Sequence, residues 1–326
     1  MTKPERIELP TGFPVGPVNV YLFTGPEPVL VDTGVKSEES LNALQAGLAA
    51  HQLTIADLAR VVISHPHLDH CGLAGFIATH SQAEVHIFAG AMPWLTDYRR
   101  IWERRLRYYR ERLFVEWDLP AEISQPILDY YLKIENTFDP VPAERLKPFQ
   151  ADDHLSLGGL PWRVLHTPGH AGTLTCFYQP ETRQFLSTDM LLPIAPTPIP
   201  EPPPNDQAER TPSLPQFMTS LAMVEALPCE IVYPGHGEPF TDHQEVIRRQ
   251  RGRIAMRKEE CLALIKQGYN NLGQLLLAMY PHYPPPYHFA GLWMALGYVD
   301  LLLAEGRIKL AALPGQGPKR FKIEPR

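Results

Sequence analysis

Val61-Val62-Ile63-Ser64-His65-Pro66-His67-Leu68-Asp69-His70 places four metal-capable side chains in six residues, directly behind an apolar run. The run has the character of a buried strand, so the ligands stand where a strand stops and a loop begins. On extended backbone successive side chains alternate, which predicts His65, His67 and Asp69 on one side and His70 on another, enough for two metals rather than one. Imidazole and carboxylate together suit a divalent cation at a hydrolytic centre. A lone His-x-His would be weak evidence, because most histidines hold no metal. Its weight here depends on whether the rest of the chain supplies the missing ligands.

Three later segments repeat the layout of apolar run followed by ligand. Leu165-His166-Thr167-Pro168-Gly169-His170 closes the stretch 160–165, Ser187-Thr188-Asp189 closes Phe185-Leu186, and Tyr233-Pro234-Gly235-His236-Gly237 closes Ile231-Val232. Together with Val31-Asp32-Thr33-Gly34 upstream, these motifs in this order resemble the metallo-β-lactamase superfamily. The resemblance implies an α/β (α+β) fold, the four-layer αββα sandwich. It implies one metal held by His65, His67 and His170, and a second by Asp69, His70 and His236, with Asp189 bridging. Asp32 would order the ligand loop through hydrogen bonds without touching metal, and His166 would support its own segment. The expected cofactors are two divalent ions, zinc first, with manganese or iron as alternatives. The expected chemistry is attack of a metal-bridging hydroxide on an ester, thioester or lactone carbonyl, with Asp69 and Asp189 as the catalytic carboxylates. His51, His80, His86, His154, His243, His282 and His288 lack the pattern and read as ordinary surface or core residues, His243 least securely because it lies close to His236.

At 326 residues the chain exceeds the length at which one core stops growing, and 44% hydrophobic content suffices for a packed globule, so two domains are expected. A formal charge of -6 offers no general basic field for nucleic acid. No N-terminal segment resembles a signal peptide and no run is long enough to span a bilayer, which predicts a cytoplasmic protein acting on a small molecule away from membranes. Cys71, Cys176, Cys229 and Cys261 are widely separated, so neither a disulfide framework nor a thiolate zinc site is expected, although Cys71 adjoins the ligand loop.

Strands are predicted at 6–9, 18–23, 29–32, 61–64 and 84–88, with helices at 37–50 and 73–79. Residues 91–148 read as a helical insertion, since a compact sandwich needs only a short connection there. Leu95, Tyr98, Trp102, Leu106, Tyr109, Leu113 and Trp117 recur every three or four residues and share one helix face, and a second helix is expected at 123–134. That stripe either caps the active site, with Trp102 and Tyr109 lining the substrate pocket, or packs on the body. In the second case Arg99, Arg100, Arg104, Arg105, Arg107, Arg110 and Arg112 form its solvated face, the reading preferred for most of them. The proline-rich stretch 193–215 is forced into a loop, as a pocket wall or as a passive link to a helix at 214–227.

Beyond His236 the pattern changes to helices at 245–267, 272–279 and 289–305, then an extended pair around Pro314-Gly315-Gln316-Gly317. This segment resembles the small winged-helix module of the lactamase-β-2-like branch, dividing the chain into a catalytic domain, 1–244, and a winged-helix domain, 245–326. Residues 289–305 contain no Lys or Arg and carry Asp300 and Glu305, so groove binding by that helix is unexpected. A structural role or a homo-oligomer contact is preferred for the module. Two alternatives to carbonyl hydrolysis stand: a metal-dependent phosphodiesterase or ribonuclease, and a non-catalytic binding or regulatory protein on a hydrolase fold.

Overall fold

The computed structural model describes residues 3–133, 138–193, 198–205, 208–284, 287–314 and 320–326. The first sheet opens as a meander of β1 (Glu5–Leu9), β2 (Val18–Phe23) and β3 (Val29–Val31), and continues in parallel through β4 (Arg60–Ile63), β5 (Glu84–Phe88) and β6 (Leu146–Phe149). Parallel neighbours need crossovers, supplied here by α1 (Glu38–Ala50) between β3 and β4, and by α2 (Leu68–Cys71) and α3 (Ala74–His80) between β4 and β5. Ser37 starts α1 by accepting a hydrogen bond from the Ser40 amide, with Glu38 and Glu39 in the positive first turn.

Between β5 and β6 lie α4 (Met92–Thr96), α5 (Tyr98–Tyr108), a π-helical turn (Tyr109–Leu113), α6 (Phe114–Glu116) and α7 (Ala121–Lys133). The expected single helix through 95–117 is therefore broken at Asp97 and widened at Tyr109, while α7 is described as far as Lys133, its expected last residue Ile134 lying outside the described residues. The insertion also ends earlier than position 148, because Leu146 already pairs with Val85.

The second sheet runs β7 (His154–Leu157), β8 (Leu160–His166), β9 (Thr175–Gln179) and β10 (Gln184–Thr188) as antiparallel neighbours. Helix α8 (Ser213–Glu225) then returns the chain so that β11 (Ile231–Pro234) adds in parallel to β10. The sheets face each other across a dry layer in which Phe23 meets Trp162 at 5.5 Å, Phe149 meets Phe177 at 6.1 Å and Tyr21 meets Tyr233 at 5.5 Å between ring centroids. Outer faces are covered by helices, Leu44 and Leu48 of α1 packing with Ile7, Leu9 and Val18. This is the αββα sandwich, and it brings the ends of β3, β4, β8, β10 and β11 to one rim.

The C-terminal segment is α9 (His243–Lys266), α10 (Leu272–Met279) and α11 (His288–Ala304), closed by the antiparallel pair β12 (Ile308–Ala312) and β13 (Phe321–Pro325). Most of the turn expected between those strands lies outside the described residues. Helix α11 is apolar nearly all round because it is covered from several sides: Gly297 abuts Leu214 of α8, Gly291 abuts Leu276 of α10, and Trp293 packs on Tyr109 of the insertion at 5.1 Å. On α9, Arg251 pairs with Glu225 of α8 and Arg257 with Glu260.

Candidate metal centre

His65 stands two residues beyond Ile63, the end of β4, whereas Asp69 and His70 sit in the one-turn helix α2, for which His67 is the N-cap. Strand alternation therefore does not explain how this segment divides its ligands, contrary to the expectation from an extended backbone. The helical turn does so instead, since residues one apart on a helix point about 100° from each other. Strand β8 delivers His166 and the loop carrying His170, β10 delivers Asp189, and β11 delivers His236. Thr188 stands at φ 46 beside a register shift in β10, an unusual conformation for a β-branched residue that re-aims Asp189.

All seven side chains named from the sequence converge. His65, His67 and His170 have ligand atoms within 4.8 Å of one another, as do Asp69, His70 and His236, and Asp189 forms a third such group with His65 and His70. In the first group His65 Nε2 lies 2.9 Å and His170 Nε2 2.8 Å from His67 Nδ1. Asp189 spans the groups, with Oδ1 3.4 Å from His70 Nε2, and Oδ2 3.3 Å from His170 Nε2 and 3.7 Å from His236 Nε2. Asp69 Oδ2 lies 3.4 Å from His236 Nε2.

Proton accounting shows which atoms are reserved. Asp32 Oδ2 accepts from His70 Nδ1–H at 2.8 Å and from Ser64 Oγ–H at 2.8 Å, while Oδ1 accepts from the Ser64 amide at 2.8 Å. Ser64 Oγ in turn accepts from His65 Nδ1–H at 2.9 Å. His236 Nδ1–H donates to the Pro17 carbonyl at 2.7 Å. These bonds engage Nδ1 of His65, His70 and His236, so that each ring turns its Nε2 inward. Among the described residues, His67 Nε2, His70 Nε2, His236 Nε2 and Asp189 Oδ1 are buried without a hydrogen-bond partner. Buried polar atoms normally find partners, so orphans concentrated at one point fit a metal-binding site.

Electrostatics agree with that fit. Burial, reinforced by neighbouring imidazoles, pushes the His65 and His67 pKa values well below the usual histidine value and keeps both rings neutral. Burial opposes ionisation of Asp69, but the His70 and His236 imidazoles outweigh it and hold the carboxyl at about 2. Asp189 is likewise held well down, burial being overcome by His70 and His236. His70 moves the other way: against burial, Asp189, Asp32 and Asp69 raise it well above the ordinary value.

His166 joins none of these groups among the described residues. It stacks on Phe88 at 4.7 Å, and its Nε2–H donates to the Gly172 carbonyl at 2.9 Å, bracing the loop that carries His170. His243 is buried and also outside the groups, and Cys71 is a buried filler beside the ligand helix whose thiol is pushed up by burial. Several supports escaped the sequence reading. Asn19 donates to the carbonyls of Pro234 at 2.9 Å and Gly237 at 2.7 Å, and Tyr21 donates to Pro234 at 2.7 Å, so β2 cradles the His236 loop. Gly235 is required by close approach: a Cβ there would lie 2.1 Å from Asp189 Oδ1. Ser64, adjacent to His65, was within reach of a sequence argument, whereas nothing in the pattern marked Asn19.

Trp102 and Tyr109, expected as possible pocket walls, are 4% and 0% exposed. Trp102 donates its indole N–H to the Tyr131 carbonyl, and Tyr109 donates its hydroxyl to the Pro200 carbonyl at 2.7 Å. Both rings pack among the aromatic side chains of the insertion, Trp102 on Tyr98 and both on Tyr131. The proline-rich segment is more than a connection: Ile199 donates its amide to the His170 carbonyl at 3.1 Å, and Glu201 Oε1 accepts the Gly172 amide at 3.0 Å.

A sequence model of the Metallo-beta-lactamase superfamily matches residues 13–236, the span that holds every one of these ligands. The chain belongs to that superfamily and is a metal-binding hydrolase of its fold. Among its relatives, the "Probable metallo-hydrolase YqjP" of Bacillus subtilis (strain 168) is 27% identical over 304 residues, covering 93% of this chain and 92% of the relative. An "Atrochrysone carboxyl ACP thioesterase" of Aspergillus fumigatus is 24% identical over 250 residues, 76% of this chain and 59% of that longer protein. Among solved structures, a metallo-beta-lactamase family protein from Thermus thermophilus superposes with a TM-score of 0.77 at 26% identity, covering 99% of this chain and 98% of the other. A beta-lactamase domain protein from Burkholderia ambifaria gives 0.75 at 20% identity, covering 98% and 91%.

Proposed function

We propose that the protein is a dinuclear metal-dependent hydrolase of carbonyl substrates, with thioesters ahead of esters and lactones. The observation that carries this reading is Asp189, whose two oxygens reach His70 on one side and His170 and His236 on the other while Oδ1 keeps no hydrogen-bond partner. His65, His67 and His170 would hold one ion, Asp69, His70 and His236 the second, and Asp189 would bridge them; zinc suits the imidazole-rich set. When bound, the pair supplies Lewis-acid polarisation of the carbonyl and an ionised water at neutral pH. The chain's own residues do the rest. Asp32 and Ser64 hold the imidazoles in their ligating tautomers, the Pro17 carbonyl does the same for His236, and Asp69, ionised at neutral pH, orients the attacking water.

Preference for thioesters is supported by the relatives named as carboxyl ACP thioesterases, which share 22% to 24% identity with this chain. The arrangement of α9, α10, α11 and the β12–β13 pair supports reading residues 245–326 as a winged-helix module with a structural role, since α11 buries itself against α8 and the insertion. No helix among the described residues is long and apolar enough to cross a membrane, and a cytoplasmic location accords with the reading. The test is a hydrolysis screen of metal-loaded protein over thioesters, lactones, phosphodiesters and short RNA. Turnover of thioesters above the others is expected; turnover confined to RNA or phosphodiesters would replace this function with the nuclease alternative.

A further inference from the structure

Arg105 does not belong to the solvated face on which its neighbours lie. It occupies the buried stripe of α5, three residues after Trp102 and four before Tyr109, and is 3% exposed. Its guanidinium carbon sits 4.4 Å from the Trp94 ring centroid and 5.7 Å from that of Trp102, so the two indoles fix the guanidinium's place. A guanidinium carries five N–H donors and is expensive to bury unless they are used. Among the described residues Arg105 uses few: it has one ion pair, Nη2 to Glu201 Oε1 at 3.5 Å, and Nε has no hydrogen-bond partner. Glu201 is a divided and partly exposed partner, because the same Oε1 accepts the Gly172 amide and its side chain keeps 29% exposure.

The chain shows elsewhere how it satisfies a buried arginine. Arg210 engages Asp300 through both terminal nitrogens, Nη1 to Oδ2 at 2.8 Å and Nη2 to Oδ1. Arg105 is buried at least as deeply without such a fork. Its partner Glu201 links it to the ligand loop, because the same oxygen accepts the amide of Gly172, two residues from His170. The π-helical turn at Tyr109 begins directly beyond α5, and such turns often accompany functional positions.

We propose that Arg105 is a specificity-determining residue, which receives a carboxylate at the far end of the substrate's acyl chain while the reacting carbonyl lies at the metal groups. A planar fork matches a carboxylate in two parallel hydrogen bonds. This inference rests on the hydrolase reading above, and it predicts that the preferred substrates are half-thioesters or half-esters of short dicarboxylic acids.

Equilibrium binding tests it without requiring turnover. Calorimetry on the metal-loaded protein compares succinate, glutarate and adipate with butyrate, valerate and hexanoate, every acid having one carboxylate for the metals. At least one dicarboxylate should bind about 10- to 100-fold more tightly than its monocarboxylate partner, the size of a hydrogen-bonded charge pair. Arg105→Gln should erase that preference and leave monocarboxylate affinity unchanged, while Arg105→Lys retains part of it. Equal affinities across all pairs in the unaltered protein overturn the proposal, as does a preference that survives Arg105→Gln. The two readings fail separately: thioester turnover without dicarboxylate preference refutes the role of Arg105 alone, and dicarboxylate preference without thioester turnover refutes the activity alone.

Discussion

Asp32→Asn isolates the orienting role of a carboxylate that touches no ligand position itself. Asp32 is buried at φ 62 and accepts three hydrogen bonds, from the Ser64 amide, Ser64 Oγ and His70 Nδ1, each at 2.8 Å. Asparagine is isosteric and tolerates the left-handed conformation, so the backbone is preserved. One oxygen can still accept the Ser64 amide. The new amide nitrogen then faces His70 Nδ1–H, donor against donor, and the ring loses the bond that reserves Nε2 for metal. A hydrogen bond to an ion contributes about 1.5 to 3 kcal/mol, which corresponds to a loss of about 10- to 100-fold in affinity at the site containing His70. Competition against a chromogenic chelator reads that loss directly, and circular dichroism confirms the fold. The His65, His67 and His170 site should weaken less, because His65 keeps Ser64 as its partner. Unchanged affinity at both sites, or equal weakening of both, would refute the tautomer argument.

Asp189→Ala should lower activity and metal content much further than Asp32→Asn, because it removes the carboxylate that spans both groups; comparable mild effects from both would contradict the bridging role. Tyr109→Ala should destabilise the protein by about 3 to 5 kcal/mol in urea denaturation while metal content per folded molecule is retained, as expected for a side chain closed within the insertion. Asp300→Ala leaves the Arg210 guanidinium buried and uncompensated, with an expected loss of about 3 to 5 kcal/mol. Metal-stripped protein should be most stable near pH 6.5. Below it, His65 and His67, kept neutral by burial, favour the proton-binding unfolded chain. Above it, stability supplied by protonated His70 and His236 is lost as pH rises through their elevated values. Denaturant titrations at pH 5, 6.5 and 8 decide this, and a flat or monotonic profile would contradict it.

The metal centre was legible because each ligand segment lies just beyond an apolar run, a pattern that survives without knowledge of the sheets. Its internal geometry was less so, since Leu68-Asp69-His70-Cys71 forms a helical turn that the preceding strand gives no hint of. Strand β6, Leu146-Lys147-Pro148-Phe149, escaped notice because a sheet edge accepts a proline and a lysine that an interior strand would reject. β7 is a four-residue alternation too short to register. The insertion's apolar stripe was readable, but its function was not: periodicity marks Trp102 and Tyr109 as facing something, and only tertiary packing reveals that they face each other's neighbours. Arg105 was hidden by composition, one arginine among seven on a segment where the others suit a solvated face.

Titrating zinc into the stripped protein while following thioester hydrolysis tests the central claim most directly. Activity should be absent without metal, rise with added zinc and reach its plateau at about two equivalents per chain, as two adjacent ligand groups joined by Asp189 require. Full activity in the stripped protein, or a plateau at one equivalent with no second ion bound, would contradict the dinuclear hydrolase.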